Sequence, residues 1–190
     1  MEERFLKPVL TIVAISLLVW IVSWLIFTRI KKKKGKVLSQ KNEITYLLFY
    51  SYIVGVMSLT VLPLPFNRFK LPNGNGINIV PFTAIFKGLS EIPLQHEFFS
   101  DNFQNIIGNV ILFIPLGIFA PLVSRKYRSF TRTAILGCAC SVSIELMQLV
   151  LRHFEIYRTV DIDDVILNTL GAMLGFIMIN TLYFKNKRTI

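Results

Sequence analysis

Apolar residues along this chain recur in blocks of about twenty, the length of helix that crosses a hydrocarbon core. Five blocks stand out, roughly Pro8 to Thr28, Ile44 to Leu62, Asn105 to Val123, Thr131 to Leu151 and Val165 to Phe184. They predict an all-α fold, a polytopic membrane helix bundle with about five transmembrane helices. The first block follows Arg4 and Lys7, but it is long for a signal peptide, lacks a small-residue cleavage site and runs into "RIKKKKGK", so it reads as a retained helix. Between the second and third blocks, Pro63 to Asn102 is broken by prolines and glycines yet keeps its phenylalanines and isoleucines. That mixture fits a segment lying on or dipping into the membrane surface.

Charge then orients the bundle. The 190 residues are 53% hydrophobic and carry a formal charge of +10, with a mean hydropathy of +0.57. The Lys and Arg residues sit in short clusters beside the apolar blocks, which points to membrane topology and away from nucleic acid. Seven lie between Arg29 and Lys41, four between Arg125 and Arg132, and three at Lys185, Lys187 and Arg188. With all three clusters cytoplasmic, the N-terminus is outside and the C-terminus inside. Nine of the eleven acids then fall outside, and Pro63 to Asn102 is an outer segment. An anionic inner leaflet attracts each basic residue by roughly 1 kcal/mol, enough to account for the lysine run without a dedicated partner.

Polar residues inside the blocks are spaced at helical intervals. In "RTVDIDDVILNTLGAMLG", Arg158, Asp161, Asp164, Asn168, Gly171 and Gly175 form one stripe, with Asp163 off it and so expected to matter less. The stripe starts at the outer surface and descends the fifth block. In the fourth block Ser141, Glu145 and Gln148 share a face, and Glu145 is the only acid within a span. In the third, Asn105 and Asn109 share a face, with a kink expected at Pro115 and Gly117. Three spans thus bring polar groups to one outer depth. Cys138 and Cys140, two residues apart on a helix, diverge and read as packing residues. CxxC, HExxH, P-loop and GxSxG patterns are absent.

"NIVPF" at Asn78 to Phe82, "NVILFIPLG" at Asn109 to Gly117, "SVSIELMQ" at Ser141 to Gln148 and "RTVDIDDVILNTLGAMLG" at Arg158 to Gly175 resemble, in order and spacing, the successive motifs of the VanZ-like family. The resemblance covers roughly Ile44 to Phe184. It divides the chain into an N-terminal helix with a polybasic loop (1–43), a VanZ-like membrane domain (44–184) and a basic tail (185–190). It implies a multi-pass protein of the bacterial cytoplasmic membrane, and an association with resistance to teicoplanin and related lipoglycopeptides. It supplies no settled reaction.

The candidate chemistry therefore rests on the residues. Glu145, Asp161 and Asp164 are candidates for acid–base work or for holding a divalent cation. Arg158 is a candidate grip for an anionic head group. Asn109, Gln148 and Asn168 either line the site or join helices, Asn78 with Pro81 and Phe82 is a candidate cap, and Gly171 and Gly175 suit packing. One reading is a site that binds or modifies a lipid-linked wall precursor, or excludes lipoglycopeptides. The others are an enzyme acting on a lipid-borne substrate and, less favoured, a flippase or transporter. Whether the chain is an enzyme, and its oligomeric state, stay open at this stage.

Overall fold

The structure, a computed structural model, describes Ala14, Leu17, Leu18, residues 20–30 apart from Phe27, and residues 40–60, 76–91, 101–153 and 159–185. About half of the first expected span, most of the polybasic loop, Arg158 and residues 186–190 lie outside the described residues. The chain divides into two compact units, Met1–Lys70 and Leu71–Ile190.

In the first unit α1 (Trp20–Ile30) precedes α2 (Gln40–Thr60). The indole Nε1 of Trp20 donates to Ser51 Oγ (3.1 Å), and that hydroxyl donates to Leu47 O (2.8 Å), satisfying both polar groups within the unit.

The second unit holds β1 (Ile77–Asn78), α3 (Thr83–Glu91), α4 (Asp101–Val123), a 3₁₀ turn (Arg125–Tyr127), α5 (Phe130–Arg152), β2 (Val160–Asp161) and α6 (Ile162–Ile179). From α6 the chain continues as a π-helical turn, Asn180–Lys185. Among the described residues four helices are long and apolar enough to cross a membrane: Asn42–Thr60, Phe103–Val123, Phe130–Arg152 and Ile162–Tyr183. The all-α expectation holds apart from one two-residue parallel bridge, with Ile77 against Val160 and Asn78 against Asp161. Helix α6 starts three residues before the expected Val165, because Asp161 caps it in extended conformation, its side chain accepting from Asp163 N.

Contacts step down α4 and α6 in the same sense. Asn105 and Asn109 meet Asp164, Val110 meets Gly171, Ile114 meets Gly175, and Gly117 meets Ala172 and Phe176. The two helices are therefore parallel. Contacts with α5 run the other way, from Gly137 against Ala172, through Ser141 against Asn168, to Glu145 against Asp161, so α5 is antiparallel to both. The heads of α4 and α6 and the end of α5 thus share one end of the unit. Arg125, Lys126, Arg128 and Arg132 occupy the other.

The burial pattern suits a hydrocarbon solvent. Ile111, Ile135, Leu146, Leu170, Leu174 and Ile177 are exposed, while Thr133, Ser141, Asp163 and Asn168 are buried. Lipid leaves no hydrophobic drive to join helices, so close backbone approach and polar contacts must do it. The α4–α6 contact supplies the first. A Cβ on Gly175 would lie 2.0 Å from Ile114 O, one on Gly171 2.2 Å from Val110 O, and one on Gly117 2.0 Å from Ala172 O. The packing role expected of Gly171 and Gly175 is what the structure has. Gly117, expected near a kink, is part of the same contact, and α4 is one helix through Pro115 and Pro121.

Gly175→Ala is therefore expected to destabilise the detergent-solubilised protein by about 1–3 kcal/mol, the usual cost of overpacking. Gly108, where a Cβ meets nothing within 4 Å, is the control. There the same change is expected to be neutral or to stabilise by about 0.5–1 kcal/mol, because it removes a mid-helix glycine. Reversible unfolding in mixed detergent reads both signs.

Candidate functional site

The polar end of the second unit is built around the start of α6. Asp161, Asp163 and Asp164 are consecutive in role but point to three different partners. The Asp161 carboxyl accepts from Asn78 Nδ2 (2.9 Å) and from Asp163 N (2.8 Å), while its backbone N–H donates to Glu145 Oε2 on α5 (3.0 Å). Asp164 Oδ1 accepts from both α4 amides, Asn105 Nδ2 at 3.0 Å and Asn109 Nδ2 at 2.6 Å. Asp163 turns to the segment before α3, accepting from the backbone N–H of Phe82, of Ala84 (2.7 Å) and of Ile85 (3.2 Å). One turn deeper, Asn168 Nδ2 donates to Ser141 Oγ (2.7 Å).

The structure thus brings Asn78, Asp161 and Glu145 into one hydrogen-bonded group and Asn109 and Asp164 into a second beside it at the head of α6, with Asn168 and Gln148 also buried. Their common depth was legible in the spacing, but a single stripe facing one way was not what formed. Asp164 and Gly171 face α4, Asn168 faces α5, and Asp161 precedes the helix.

Asp163 reverses the expectation attached to it. It is 0% exposed, the most buried of the three aspartates, and its carboxyl caps the first turn of α3, where backbone N–H groups have no partner within the helix. An off-stripe position at a helix start faces whatever packs over that start, which periodicity along α6 alone does not reveal. It also holds Phe82, whose φ of 68° is left-handed. That conformation costs an L-residue roughly 1–2 kcal/mol.

Arg158 lies outside the described residues. A described cation at this end is Arg152, which extends the Glu145–Gln148 face of α5 by one more turn. Its Nη1 donates to Gly76 O (2.9 Å), which also accepts from Val160 N (3.0 Å), so Arg152 ties α5 to the β1–β2 bridge. Gly76 has a φ of 58°, the left-handed conformation a glycine adopts without strain.

Electrostatics follow from burial. Loss of water pushes the Asp161 carboxyl above its ordinary value. The Asp163 N–H pulls it back, the Asp163 charge raises it again and the Asn78 amide lowers it. Burial is the largest influence, so the acid form is favoured relative to an aspartate in water. Both oxygens of Asp163, and one each of Asp161 and Asp164, accept from N–H groups of the protein, and among the described residues no three His, Cys, Asp or Glu side chains come together to hold a metal. Asn168 Oδ1 is different. It is buried and meets no donor among the described residues, and a buried acceptor without one typically costs about 1–3 kcal/mol.

A family model described as VanZ/LLP1 matches residues 49–183. The chain belongs to the VanZ/LLP1 family. Among its relatives is Protein VanZ of Enterococcus faecium, 32% identical over 143 residues, which cover 74% of this chain and 73% of that protein. No solved structure matches. The family match begins within α2 and ends in the π-helical turn, so every residue of the cluster falls inside it.

Asp163→Ala is expected to destabilise the protein by on the order of 3 kcal/mol, because three backbone N–H groups lose a carboxyl acceptor and cannot move to another. Asp164→Ala is expected to cost less. The amides it frees are on side chains, and Asn109 Nδ2 already lies 3.4 Å from Asn105 Oδ1. Unfolding in mixed detergent ranks the two; the reverse order contradicts the capping role.

Proposed function

We propose that this member of the VanZ/LLP1 family lowers the susceptibility of the bacterial envelope to teicoplanin and related lipoglycopeptides. In this reading the polar end of α4, α5 and α6 faces outward in the cytoplasmic membrane and binds or modifies a lipid-linked envelope component. The observation that carries it is the polarity of the second unit. Glu145, Arg152, Asp161 and Asp164 gather at one end, and Arg125, Lys126, Arg128 and Arg132 lie at the other. The positive-inside rule turns the acidic end outward, to the side on which an envelope antibiotic acts.

Within that end the groups divide by what they already hold. Asp164 is engaged by Asn105 and Asn109, and Asp161 by Asn78, so these carboxyls shape the site. Asn168 Oδ1, an acceptor with no donor among the described residues, suits a ligand hydroxyl or amide. Arg152 is the described cation nearest the end of α5 and suits a phosphate or carboxylate of an anionic head group. Binding is the reading these contacts favour over acid–base or metal chemistry, since the carboxyls act as acceptors for fixed donors.

In a susceptible host, the intact protein is expected to raise the teicoplanin concentration needed to stop growth. Glu145→Gln, Asp161→Asn and Asp164→Asn, each present in the membrane at the wild-type level, are expected to return it towards that of the empty host. Unchanged protection in all three variants would remove the site from the function.

A further inference from the structure

Helix α3 has three faces where a helix covering a soluble core needs two. Ala84, Ile85 and Gly88 turn inward, half-buried to buried. Thr83, Lys87 and Ser90, spaced at i, i+4 and i+7, make an exposed polar edge. Phe82, Phe86 and Leu89, with the same spacing, make an exposed apolar edge beside it, where Phe86 is 69% and Phe82 49% exposed. Ile79 and Val80, just before the helix, are 78% and 61% exposed. The Phe82 and Phe86 rings lie 6.2 Å apart and meet each other on that edge. Five large apolar side chains are thus exposed over eleven residues, three just before this nine-residue helix and two on it.

The level of this strip is set by a contact already described. Asp163, in the first turn of α6, accepts from the N–H groups of Phe82, Ala84 and Ile85. Helix α6 opens the apolar stretch Ile162–Tyr183, so the start of α3 is pinned where that span begins. An apolar edge beside a Lys-bearing polar edge, at the boundary of a span, has the pattern of a helix lying in the membrane interface. Phe82 adds an independent sign. It keeps a bulky side chain in a left-handed conformation that glycine would take without strain, so the ring itself is what the position retains.

We infer that α3 is an interfacial helix, with Ile79, Val80, Phe82, Phe86 and Leu89 seated among the upper acyl chains of the bilayer and Lys87 among the lipid head groups. This inference rests on the membrane spans and not on the antibiotic reading, so either can fail without the other.

The test places an environment-sensitive NBD label at Phe86→Cys or at Lys87→Cys, with Cys138 and Cys140 changed to Ser, in the full chain reconstituted in phosphatidylcholine–phosphatidylglycerol vesicles. At 86 the emission is expected to shift to the blue and to be quenched by lipids spin-labelled high on the acyl chain. At 87 iodide in the aqueous phase is expected to quench more strongly than lipid does. Both patterns should persist as lipid is added at constant protein. A water-like emission at 86 that ignores the lipid quenchers overturns the inference. So does a blue shift that fades on dilution with lipid, which identifies a second copy of the chain as the occupant. Phe82→Gly is the second variant. It is expected to keep the fold, since it relieves the left-handed strain, and to weaken lipid quenching of the label at 86; unchanged quenching there argues against a seated Phe82.

Discussion

A carboxyl group buried where a helix enters the membrane loses water and is stabilised by hydrogen-bond donors within the protein. At the head of α6 three aspartates face this demand within four residues. Each meets it with a different element: Asp161 with β1 and the α6 cap, Asp163 with the start of α3, Asp164 with α4. Glu145 closes the set by accepting the Asp161 N–H from α5. The acidic cluster is therefore a joint before it is anything else, and the polar end exists because the joint gathers its parts.

Below the joint, the helices are held by shape. Gly117, Gly171 and Gly175 let α4 and α6 run parallel at backbone contact, which neither sequence adjacency nor a short connection would suggest. Joint and contact depend on each other. The glycines set the register that brings Asn105 and Asn109 level with Asp164, and the Asp164 bonds resist sliding along a smooth small-residue seam. The buried Asn168 Oδ1, without a donor among the described residues, departs from that pattern, and the proposed binding role rests on it.

Much of this was legible in the sequence, for identifiable reasons. Twenty-residue apolar blocks gave the spanning helices, because membrane thickness sets their length. Helical spacing put Asn109, Glu145, Asp161 and Asp164 at a common depth. What periodicity could not reach was pairing across long stretches of chain. Asp163 bonds to Phe82, Ala84 and Ile85, some eighty positions away, and the Asn78–Asp161 bridge spans 83. Arg152 is illegible for another reason: a basic residue at the end of a span reads as an ordinary interfacial anchor, and its bond to Gly76 O exists only once the β1–β2 bridge is formed.

The claim that a joint at the head of α6 assembles the polar end is tested most directly by a double-mutant cycle on Asn78 and Asp161, read as unfolding free energies in mixed detergent. The account predicts that Asn78→Ala and Asp161→Ala are coupled, the pair costing about 0.5–2 kcal/mol less than the sum of the single changes, as for contacting residues. Strict additivity would mean that the two side chains do not meet, and would contradict it.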